Sequence, residues 1–70
     1  MSVASDDQIL RELTTEARKW TMRIFPLRMS ASGAEEVAVR QQMQADAEKW
    51  VQENFELLKQ GKEAKPLPTA

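Results

Sequence analysis

The chain has 70 residues with no Cys and no His, ten basic against eleven acidic side chains, and a formal net charge of −1. Seventy residues make one small domain whose core is marginal by itself. With neither Cys nor His, disulfides and the usual zinc ligand sets are excluded, and association with a copy of itself or with a larger protein becomes the expected means of stabilisation. The near-neutral balance argues against nucleic acid as a partner. No stretch approaches the roughly 18 apolar residues of a membrane span, and the first residues lack the basic and apolar regions of a secretory signal. A cytoplasmic protein is the expectation.

Residues 1–4 are expected to be disordered. Ser5 reads as a helix N-cap, with Gln8 three residues on and Asp6 and Asp7 in the first turn, where the helix dipole favours acid. Apolar residues then fall at 9, 10, 13, 17, 20, 24 and 27, the spacing of one helical face. Pro26 disfavours helix at Phe25 and removes a backbone donor. The first helix is therefore expected over about 5–28, with a stop or kink near Pro26. A loop follows over 29–32. Ser32 with Glu35 reads as a second capping box, starting a second helix over about 33–60 with Gly61 just past its end. Residues 62–70 carry two prolines and no period, and are expected to form a flexible tail. Pro66 and Pro68 do not make a PxxP motif.

One unit is written twice. Glu16-Ala17-Arg18-Lys19-Trp20 returns as Asp46-Ala47-Glu48-Lys49-Trp50, each copy followed by a Phe five residues after its Trp (Phe25, Phe55). On a helical wheel Ile9, Leu10, Leu13, Ala17, Trp20, Ile24 and Leu27 cover an arc of roughly 100°, and Val39, Met43, Ala47, Trp50, Val51, Leu57 and Leu58 about 120°. The two alanines, one turn before each Trp, predict close approach of facing helices. A short loop predicts an antiparallel pairing, so the fold class is all-α: a two-helix hairpin, completed to a four-helix bundle by dimerisation. Charge agrees: residues 8–29 carry net +3 and residues 34–60 net −3.

Two hairpin stripes cannot hide every apolar group. Phe25 and Phe55 fall about 120° from the stripe centres, and Met22 and Met29 nearly opposite. With Trp20 and Trp50 these are the candidate partner-binding residues. The basic residues of the first helix, Arg11, Arg18, Lys19, Arg23 and Arg28, form a candidate basic face. Asn54 lies inside the second apolar arc, either as a buried polar device fixing register or as a residue reaching solvent where the arc widens.

Catalysis has little to work with. There is no His, Cys or Tyr, and both glycines sit at helix boundaries rather than in a phosphate-binding loop. No catalytic, cofactor-binding or metal residue is assigned. The sequence reads as a noncatalytic protein–protein interaction module, a regulator, inhibitor, adaptor or accessory subunit presenting helix faces to itself or to a larger protein. The alternative is a nucleic-acid-associated accessory protein using the basic face.

Overall fold

The computed structural model describes residues 5–68; the disorder expected at residues 1–4, and the tail's last residues 69 and 70, lie outside them. Two helices, α1 (Asp6–Ser32) and α2 (Glu36–Lys59), pack along each other, with no strand among the described residues. The result is a rod of 49 × 17 × 16 Å.

Each end of α1 has a local cause. The Ser5 hydroxyl accepts the Gln8 N–H at 3.2 Å, and Asp6 and Asp7 occupy the first turn. Gly33, at φ 65°, adopts the left-handed conformation that ends a helix at no side-chain cost. The helix therefore runs past the expected stop near residue 28, through Pro26, and on to Ser32. Ser32 closes α1 rather than capping α2; that place belongs to Glu35, whose side chain makes no capping bond. The connection is 33–35, not 29–32.

The buried face changes phase beyond Pro26. Leu13, Ala17, Trp20 and Ile24 are buried as their spacing predicts, yet Leu27 is 53 % exposed while Arg28 and Met29 turn inward. Proline lacks the N–H that would bond the preceding turn, and its ring crowds the carbonyl four residues back. The inward face advances there, and Met29, placed on the outer side by a straight wheel, packs against the core instead.

The core is Trp20, Ile24, Val39 and Met43, with Phe25, Met29, Ala47 and Leu67 packed around it. Leu67 belongs to the tail. At the end of α2 the N–H of Gly61 meets the Leu58 carbonyl at 3.1 Å and that of Lys62 meets the Leu57 carbonyl at 2.9 Å, with Gly61 at φ 76°. This is the Schellman arrangement, and it turns the chain back over the helix it has just left. Residues 62–68, expected to hang free, lie instead as a strap against one seam of the hairpin, bonded to Trp50, Asn54 and Trp20.

Candidate interaction faces

The strap divides the hairpin into two unlike faces. On the closed face the tail fills the seam. Asn54 is fully buried: its amide donates to the Trp50 carbonyl at 2.7 Å and its side-chain oxygen accepts from the Lys65 N–H. The Trp50 indole donates to the Lys65 carbonyl at 2.9 Å, and the Trp20 indole to the Pro68 carbonyl at 2.7 Å. A polar side chain in an apolar arc is costly unless bonded. Here the tail backbone satisfies it, so of the two readings of Asn54 the solvent-reaching one fails.

On the opposite face an open groove of about 990 Å³ runs between the helices, lined by Ala17, Met22 and Phe25 of α1 and by Arg40, Ala47 and Val51 of α2. Its floor follows from the sequence: Ala17 and Ala47 are small, so the backbones approach and the larger flanking side chains stand as walls. Arg18 and Glu48 line the groove from opposite helices.

The six partner-binding candidates separate by environment. Trp20 is 1 % exposed and so is core, not contact surface, with the Arg28 guanidinium 5.1 Å from its ring centroid. Met29 is half-buried in the core margin. Trp50 is half-buried beneath the strap. Phe25 is half-buried in the groove, with Arg40 of the facing helix 4.8 Å above its ring. Phe55 is half-buried under Lys59 at 5.1 Å. Met22 stands out, 79 % exposed on the groove wall.

The basic candidates do not converge on one patch. Arg28 donates to Asp46 of α2 at 2.8 Å, and Lys19 pairs with Glu16 of its own helix at 3.8 Å. Among the described residues no ion pair joins Arg11, Arg18 or Arg23, and all three are exposed. Their places in α1 turn Arg18 toward the groove and Arg23 toward the other side. Among the described residues, the Arg28–Asp46 pair is the ion pair that joins the two helices. The Arg28 hydrogen bond holds the Asp46 carboxyl below its ordinary range against the opposing effect of burial, with Gln42 donating at 3.0 Å and Lys49 adding attraction.

The chain matches no protein-family model, no curated protein and no solved structure. No described helix is long and apolar enough to cross a membrane, and the described residues contain no cluster of three acidic side chains able to hold a metal ion.

The tail departs from the flexible segment expected over 62–70: Lys65, Leu67 and Pro68 bond to or pack against the hairpin. The signal available was indirect: an Asn inside an apolar arc needs a partner, and Leu67 is the lone large apolar residue after Leu58.

Proposed function

We propose that the protein is a small noncatalytic protein–protein interaction module, a regulator, inhibitor, adaptor or accessory subunit, acting through the open face of the hairpin. The observation that carries this reading is the asymmetry of the two seams. The strap closes one, while the other remains a long open groove of mixed apolar and polar lining, with Met22 standing almost bare on its wall. Burying a Met side chain contributes roughly 1.5–3 kcal/mol, and a domain this small gains from every such group it covers.

A second copy would fit the groove and complete a four-helix bundle. Arg18 and Glu48 stand 16 and 14 residues from Ala34, so they lie within about 3 Å of the same height on the hairpin. A two-fold axis parallel to the helices would set α1 of each copy over α2 of the other, and Arg18 of each against Glu48 of the other. An axis across the helices would set like charges together, so the first arrangement is the one charge favours.

Sedimentation across the micromolar range tests this. We expect a dimer that Met22→Glu disrupts. Arg18→Glu and Glu48→Arg should each weaken it by roughly three- to thirtyfold, and their combination should restore it. A folded monomer at all concentrations would remove the dimer. No observation favours the nucleic-acid alternative, and the expected companion result is no binding to nucleic acid at low salt.

A further inference from the structure

The closed seam is filled by the chain itself, and the manner of filling shows what it can hold. Three side chains reach the tail: Asn54 takes the Lys65 N–H, Trp50 donates to the Lys65 carbonyl at 2.9 Å, and Trp20 donates to the Pro68 carbonyl at 2.7 Å. All three bonds go to main-chain groups. The tail side chain packed on the core cluster is Leu67. Pro66 and Pro68 have no N–H to leave unpaired, their rings fix their own φ, and they bias Lys65 and Leu67 toward extended backbone. Indole donors, which cannot accept, are thus matched to carbonyls on a segment already stretched. Aromatic-lined grooves that hold proline-rich peptides use the same chemistry.

We infer that the seam formed by Trp20, Trp50 and Asn54 is a binding groove for an extended Pro-aliphatic-Pro peptide carried by another protein, and that Lys65-Pro66-Leu67-Pro68 is its occupant in cis. Backbone and one aliphatic side chain are what the groove reads, so it does not distinguish an attached segment from a free one. The attached segment has only its high effective concentration, on the order of millimolar for a short tether. When the strap lifts, Asn54 and the two indoles exchange the tail's main-chain partners for water, and the apolar surface under Leu67 returns to water as well. A segment of the same chemistry restores both the bonds and the apolar burial. This face is separate from the groove that holds Met22, and the two tests do not depend on each other.

The test uses the full chain carrying Leu67→Asp, which removes the strap's apolar anchor. The indole N–H resonances of Trp20 and Trp50 should shift and exchange faster with solvent. A synthetic peptide with the sequence of residues 61–68 should return both resonances saturably below about 1 mM, the effective concentration it must replace. The same peptide with Asp for its Leu should not. Indoles unmoved by the first peptide would overturn the proposal. So would a dimer of the unmodified chain that Leu67→Asp abolishes and Met22→Glu does not, since the occupant would then be the tail of a second copy. If Leu67→Asp fails to fold, hydrogen exchange on the unmodified chain decides. Both indoles should exchange about tenfold or more faster than the amides of Ile24 and Met43, by local opening of the strap. Equal protection would mean that strap and hairpin open only together, and would overturn the proposal.

Discussion

Trp20 and Trp50 occupy the same place in a repeated sequence and the same place on their helices, yet they live in different surroundings. Trp20 is almost fully enclosed, with Ile24, Val39 and Met43 around it, the Pro68 carbonyl on its indole nitrogen and the Arg28 guanidinium over its ring. Trp50 is half-buried and held by the Lys65 carbonyl. The repeat sets helix phase and so points both indoles toward the seam. It does not set depth. Depth depends on what lies across the seam, and the strap with its Leu67 crosses beside Trp20 after passing Trp50 on the way.

The sharpest way to break the comparison is to remove each indole. Trp20→Ala should cost about 3–5 kcal/mol, as for a large core aromatic. A 70-residue domain has about 4–10 kcal/mol in total, so this variant should lose roughly half of its stability and show a much earlier denaturant transition by circular dichroism. Trp50→Ala should cost about 1–3 kcal/mol, because less surface returns to water and one hydrogen bond is lost. Equal costs measured by denaturant titration would mean that the two sites are alike after all.

Asn54→Leu comes next. The substitution keeps volume but removes the acceptor of the Lys65 N–H, a part-buried bond worth about 0.5–1.5 kcal/mol. The strap should loosen from its Trp50 end, so the Trp50 indole should lose protection from hydrogen exchange before Trp20 does. Loss of protection at Trp20 first would mean that the strap lifts from its Pro68 end instead.

Much of the architecture was legible because the helical period is a local, repeated signal. Leu13, Ala17, Trp20, Ile24, Val39 and Met43 lie in the arcs where the spacing put them, and they are buried. The path through Pro26 was not legible. Local preference favours a break there, but the helix continues and brings Arg28 and Met29 just beyond it into contact with α2 and the core. The strap was not legible either, since its bonds join residues 11 to 48 positions apart. Asn54 announced that something polar had to meet it. Nothing in its neighbourhood said that the partner would come from beyond a helix end.

The smallest effect is set by pH. Arg28 belongs to the Trp20 side alone, lying over the Trp20 ring and bonding Asp46 of α2 at 2.8 Å, while Trp50 has no part in that contact. The Asp46 pKa is lowered from the ordinary 3.8, chiefly by the Arg28 hydrogen bond. The unfolded chain therefore binds a proton at Asp46 more readily than the folded one. The stabilisation is present above the unfolded value and is lost as pH falls through the folded one. Both partners are partly exposed, so the pair contributes no more than about 1 kcal/mol. Denaturant midpoints from pH 2 to 6 should show wild type and Asp46→Asn separated by a constant gap above about pH 5, closing as the carboxyl protonates. Because protonation releases Arg28, fluorescence of the Trp20 indole in a Trp50→Phe background should change with the same pH dependence. Trp50 emission in a Trp20→Phe background should not follow Asp46, and a shared transition would show that the strap transmits the loss of one contact to both indoles.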